Sequence, residues 1–366
     1  HASWHARLAK LPASERAAFE RVMRGELPAG WRDVLLDFKR RALAGEAEEI
    51  AAKSGIFLSA EINDRLADLL PERMVACADL EAPTNHKRRL AAFTADDRRG
   101  AYVHCGVREH VMGAMAIGMV AHGGIVPLAV TYLAFSDYER PAMRMAALMG
   151  LPVKFVFSHD SIGVGKNGPT HQPVEILASL RAMPNMLVLR PADAVETAEC
   201  WKAALTAREP SVMALSRQKT AAVRCTAGDL ALKGAYELAP AEGPAQVTLF
   251  ACGTETAVAM TARDKLQAAG IGTRVVSTPC WELFERQSRK YQADTIGKSP
   301  VRLAIDAGVR QGWDRFIGED GLFVGMTGFG GSAPAERLYK EFGITPEAVV
   351  DAVAAKLGLG QDAAAG

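Results

Sequence analysis

The sequence lacks a charge imbalance, paired cysteines and long apolar runs. Its 43 basic and 42 acidic residues leave a net charge of +1, so no overall field would draw nucleic acid or an anionic membrane surface. The six cysteines are scattered, include no CxxC pair and follow no signal peptide, which points to free thiols in a reducing compartment and a cytoplasmic location. No apolar run reaches the roughly 18 to 20 residues that a membrane-spanning helix needs. HExxH and Cys/His ligand spacings are missing, as are GxGxxG or GxxxxGKS/T after a strand, so the common zinc, dinucleotide and P-loop signatures are excluded. GFGGSAP at 328–334 comes nearest to a dinucleotide turn, but without the fingerprint it reads as a tight strand-to-helix connection.

What is present is an ordinary globular composition, 49% hydrophobic and 23% charged, in a chain of 366 residues that is long enough for two or more domains. Residues 1–48 carry Trp4, Leu8, Leu11, Phe19, Val22 and Met23 as an interrupted helical stripe broken by Pro28 and Gly30, which predicts short amphipathic helices that pack on another part of the molecule and are too lean to form a core, a linker. From 49 onward short apolar runs (153–157, 186–189, 212–215) alternate with helical stretches such as 136–149 and 193–207, the latter opened by Asp193 as an N-cap. Strand alternating with helix predicts a parallel sheet covered on both faces. A second βαβ unit begins near 244, with strands at 246–251, 273–276, 301–305 and 322–326 and a last helix capped by Thr345 before Pro346. The expected fold is α/β, with two doubly wound, mainly parallel sheets. The expected divisions are 1–48, 49–230 and 231–366. The chain begins at His1 instead of methionine, as a mature fragment or one piece of a longer polypeptide would.

Three stretches carry candidate chemistry. In HDSIGVGKNGPTHQP, residues 159–173, His159 and His171 flank a loop whose glycines and proline rule out a helix or strand interior and let backbone approach a ligand closely. Ser161 beside His159 and Asp160 makes no hydrolase triad, since chain neighbours rarely point at one another and no GxSxG elbow exists. In YVHCGVREHVMGAMAIGMVAHGG, residues 102–124, Glu109 opens a helix almost free of charge. A carboxylate there suits the helix dipole, and it equally suits a buried acid kept neutral as a hydrogen-bond donor. Tyr132, Phe135 and Tyr138 fall within one and a half turns, a spacing that fits plain core as well as a ring-binding box.

With GVREH, the HGG-to-YLAF segment and the 159–173 loop in this order, and with CADLEAPTN, LSRQ and GMTGFGGSAPAERLYKEFG around them, nearly the whole chain resembles transketolase. The related 2-oxo acid dehydrogenase β subunits share the glutamate but not the histidine loop. The resemblance implies a pyrimidine-binding domain followed by the family's C-terminal domain. It implies thiamine diphosphate as cofactor, with Glu109 hydrogen-bonded to the pyrimidine ring, Tyr132, Phe135 and Tyr138 around that ring, and Asp79 close by at a subunit interface. It implies that His171 stands beside the reacting hydroxyl groups, that His159 and Arg217 hold the phosphate end of the sugar, and that Thr84 replaces a common serine. Asn167 stands where the family commonly has aspartate against the acceptor's hydroxyl, and Lys53 is what the chain offers for the usual phosphate-binding arginine. These changes leave the reaction standing and open the question of the preferred sugar.

The family's GDG…N motif, which holds Mg2+ (or Ca2+) and the diphosphate, is absent, and GEDG at 318–321 lies in the wrong region. No metal ligand is therefore expected from this chain, which alone would bind the cofactor poorly. The implied assembly is a homodimer or a complex with a chain carrying the diphosphate-binding domain. The implied substrates are sugar phosphates, with ketol transfer from a donor such as xylulose 5-phosphate. A thiamine-dependent β subunit acting on a 2-oxo acid, and a non-catalytic interaction module that kept the fold, are the alternatives. Retention of Glu109, His159, His171 and Arg217 together disfavours the module, because buried polar groups without a role only destabilise.

Overall fold

Runs of valine, leucine, phenylalanine and alanine bury a strand on both faces, so helices must cover both sides of the sheet they form. In the computed structural model, which describes residues 2–44, 50 and 53–359, strands β1 (Arg73–Cys77), β2 (Tyr102–His104), β3 (Val126–Tyr132), β4 (Lys154–Ser158), β5 (Leu187–Leu189) and β6 (Ser211–Leu215) build the first sheet. All its pairings are parallel, in the order β2-β1-β3-β4-β6-β5. Strands β7 (Tyr236–Ala239), β8 (Val247–Ala251), β9 (Thr273–Ser277), β10 (Val301–Val309) and β11 (Leu322–Met326) build the second, ordered β11-β10-β8-β9-β7. Only the edge strand β7 runs antiparallel. The expected α/β architecture with two mainly parallel sheets is the one observed.

Local signals hold where the side chain completes the element. Asp193 accepts from the Glu196 N–H and opens the helix Ala194–Thr206, and Thr345 accepts from Ala348 before Pro346. Helices Ala2–Ala9 and Ala13–Met23 bury nothing, as a linker would, but Trp31–Leu43 sets Trp31, Leu35 and Phe38 into the core with Ile56, Trp201 and Leu215. A stripe three residues wide suffices once a helix lies against a second apolar face. The expected boundary near 48/49 and the alanine-rich tail lie outside the described residues.

Strand order decides where a ligand can sit. From β1 the chain leaves to β2 on one side, whereas β3 and β4 extend the sheet the other way. Such a reversal opens a crevice beyond the carboxyl ends of β1 and β3. Every expected site residue except Lys53 lies at the end of one of β1, β2, β3, β4 or β6, or in the loop or helix turn after it.

Candidate active site

The crevice holds a cavity of about 540 Å³ lined by Ala78, Asp79, Leu80, Val107, Arg108, Glu109, His110, Phe135 and Tyr138. Its floor comes from three strand exits. Asp79 leaves β1 with φ +60°, a left-handed backbone that a non-glycine residue holds only when its surroundings enforce it. Glu109 starts the helix Glu109–His122 just after β2 and is buried together with Met112, Gly113 and Ala116 on the same face. Tyr132 ends β3, and its ring stacks on Phe135 with centroids 5.5 Å apart. Tyr138 stands at the rim, 66% exposed and 6.1 Å from the Phe135 ring, so this part of the aromatic triplet is not plain core.

Register carries the row onward. Tyr132 pairs with Ser158 and Ser158 with Leu215, so the residues leaving β4 and β6 emerge beside Tyr132. His159 comes out at φ +62°, buried, with its ring stacked 3.6 Å from that of Tyr132 and its Nδ1 hydrogen-bonded to Ser158 Oγ at 2.8 Å. Burial first, then the charges of Arg217 and His171, push the His159 imidazole down to about 3, so it is neutral near pH 7. His171 returns from the far end of the loop with its ring 5.3 Å from Phe135 and 6.3 Å from Tyr132. Both histidines therefore meet the Tyr132 ring. Arg217 and Asn167 are exposed at this end.

Other expected residues are placed differently. Thr84 is fully buried and donates its hydroxyl to the Leu80 carbonyl at 2.6 Å, so it fastens the turn after β1 and does not reach the cavity. Lys53 pairs with Glu61 at 2.6 Å. Asp160 and Ser161 turn away toward the second sheet, where Asp160 meets Arg190 and Ser161 bonds Tyr339 at 3.3 Å. Gln172 donates to the Gly331 carbonyl at 2.8 Å and ties the loop to the segment after β11.

Two groups at or beneath the site escaped the sequence reading. Arg190, fully buried after β5, meets Asp160, Glu255 and Asp306 at 2.8, 2.6 and 3.0 Å and joins the two sheets. Glu139, fully buried on the helix Ser136–Met149, lies against Gly113 beside Glu109. It occupies a position three, four and seven residues before Ala142, Met143 and Ala146, all buried, and that spacing was the available signal.

A carboxyl at the cavity wall, aromatic faces beside it and histidines at one end fit a planar heteroaromatic ring with a hydrogen-bonding nitrogen, next to a polar substrate that exchanges protons. Among the described residues no cluster of three or more His, Cys, Asp or Glu side chains could hold a metal ion, and no helix is long and apolar enough to cross a membrane.

Comparison with known proteins gives a consistent result. Residues 56–222 match the family model of the transketolase pyrimidine-binding domain, and residues 234–345 match that of the transketolase-like C-terminal domain. A transketolase from Rhodobacter capsulatus is 46% identical over 358 residues, covering 95% of this chain and 53% of that protein. The transketolase of Pichia stipitis solved with sedoheptulose 7-phosphate is 30% identical, with a TM-score of 0.87 over 97% of this chain and 52% of that one. A split-gene transketolase, described as an inactive β4 tetramer, shares the fold at 23% identity with a TM-score of 0.69, covering 84% of this chain and 99% of that one. The chain spans about half the length of the curated relatives it matches.

Proposed function

This chain belongs to the transketolase family, and from that membership we propose that it forms the pyrimidine-side half of an active site moving a two-carbon ketol unit from a ketose phosphate to an aldose phosphate. Thiamine diphosphate, when bound, would supply a nucleophilic carbon and an electron sink that allow the bond beside the ketose carbonyl to be broken and remade. Glu109 holds or gives up a proton at the pyrimidine nitrogen from a buried place at a helix start. Phe135, Tyr132 and Tyr138 fix the plane of that ring, and Asp79 lines the same cavity. His171 moves protons at the substrate hydroxyls. Arg217 grips the phosphate with a charged fork, and His159, neutral and rigid on Tyr132, offers a hydrogen bond without a charge. Asn167 contacts the acceptor sugar beside its aldehyde. A contact from Thr84 would require its hydroxyl to leave Leu80.

The diphosphate and its Mg2+ or Ca2+ take their ligands from outside this chain, in a homodimer of longer polypeptides or in an assembly with a chain carrying the diphosphate-binding domain. The divisions 1–48, 49–230 and 231–366 and a cytoplasmic setting, supported by six free cysteines, complete the reading.

The observation that carries it is the convergence of Glu109, the Tyr132–Phe135 stack and both loop histidines at adjacent strand ends. The test mixes this chain with the separately produced diphosphate-binding half of a relative, thiamine diphosphate and Mg2+. Transfer from xylulose 5-phosphate to ribose 5-phosphate, lost in Glu109→Gln, is expected. A complex that assembles and transfers nothing with Glu109 intact overturns the reading.

A further inference from the structure

A helical side chain leans toward the N-terminus, so the surface over the turn holding Glu109 should be covered by residue 113. Residue 113 is glycine, and the place its Cβ would take is already filled: Glu139 Oε1 lies 2.7 Å from it and Glu139 Cγ 2.9 Å. The facing helix thus inserts a carboxyl into a notch beside Glu109. Glu139 is 0% exposed, and neither of its oxygens has a hydrogen-bond partner. An unpaired anion in such a place is strongly disfavoured, so the group is held as the neutral acid. Burial first and the Glu109 charge second raise its proton affinity, with no cation offsetting them. On the loop after β2 the Cys105 thiol also feels Glu139. Asp79, Arg108, His110 and Tyr138 line the cavity together with Glu109.

An apolar residue would fill the same space without this cost, so the carboxyl invites a reason. We propose that Glu139 is a positioning residue for Glu109: the two carboxyls form a pair that holds one proton between pH values where two separate acids would hold none, keeping Glu109 able to exchange a proton with the cofactor ring. Two carboxyls placed together in an apolar setting do not both ionise, and they lose their protons as a pair in two steps. The role at the ring rests on the function proposed above. The pairing itself is a property of this chain alone.

The test titrates the cofactor-free 366-residue chain by 13C NMR with glutamate carboxyl labels. In the unmodified chain the Glu109 and Glu139 signals should move together in two steps. In Glu139→Gln, Glu109 should titrate in one step, about one pH unit or more below the upper step of the pair. Linkage is reciprocal, so Glu109→Gln should lower Glu139 by the same amount. Glu139→Met gives the same reading should the glutamine variant fold poorly. A Glu109 curve unchanged in both variants overturns the proposal. Coupled titration without ketol transfer in the reconstituted complex supports the pair and overturns the function. Transfer in a chain whose Glu109 titrates alone does the reverse.

Discussion

The His159 imidazole lies on the ring of Tyr132, with centroids 3.6 Å and planes 24° apart, and this stack makes the histidine a buried neutral group. Its folded-state pKa falls from 6.5 to about 3. His86 is lowered to about 4, chiefly by burial; its Nδ1 bonds the Thr84 carbonyl and its Nε2 bonds the Ser59 hydroxyl. In both cases the unfolded chain takes up a proton that the folded chain refuses. Their contribution to stability is therefore full above pH 6.5 and is lost as pH falls toward 3 to 4. Denaturant midpoints measured across this window should drop with acidity, with a shallower slope in His159→Asn. By 15N NMR, His159 should stay neutral from about pH 5 to 8, the range in which an unperturbed histidine titrates.

Arg190 neutralises three carboxylates from separate segments. Truncation in Arg190→Met would leave Asp160 and Glu255 buried without a counter-charge and Asp306 with only Arg181 at 3.9 Å, and breaking a buried pair of this kind costs about 3 to 5 kcal/mol. Urea unfolding should register that loss. Arg190→Lys should recover only part of it, because an ammonium cannot match three partners with one planar fork.

Two glycines of one helix should respond in opposite directions to alanine. At Gly118 an added methyl meets nothing within 4 Å, so Gly118→Ala should stabilise by about 0.5 to 1 kcal/mol through helix propensity. At Gly113 the same methyl would lie 2.7 Å from Glu139 Oε1 and 2.9 Å from Ala142 Cβ. Ala142 Cβ can yield only by moving backbone, so an overpacking cost of about 1 to 3 kcal/mol outweighs the propensity gain. Thermal melts of the two variants settle the contrast.

Asn167 keeps the acceptor oxygen of an aspartate and loses its charge. In the reconstituted complex, Asn167→Asp should raise kcat/KM for a hydroxylated aldose acceptor about fivefold, the worth of about 1 kcal/mol from charging one hydrogen bond. Donor KM should stay the same. An equal change with every acceptor and donor would count against a specific contact.

Much of the site was legible before any coordinates. Glu109 at the head of an uncharged helix, three aromatics at and just after the end of β3 and two histidines around a glycine loop are all contiguous patterns, and each falls at a strand end where the chain itself turns. The partner of the Thr84 hydroxyl was not legible, because a hydroxyl in a short helix can satisfy a carbonyl four residues back as readily as a ligand.

By itself the sequence determined the alternation of strands and helices, their caps and the loops that carry chemistry, because those depend on neighbours within a few residues. Only the tertiary structure decided what stands opposite each buried face. Strand order brought Arg190 to Asp306, 116 positions away, and set Glu139 over the gap that Gly113 leaves beside Glu109. A periodic pattern tells which face of a helix is buried, but the group that meets it comes from another element, and the sheet alone brings the two together.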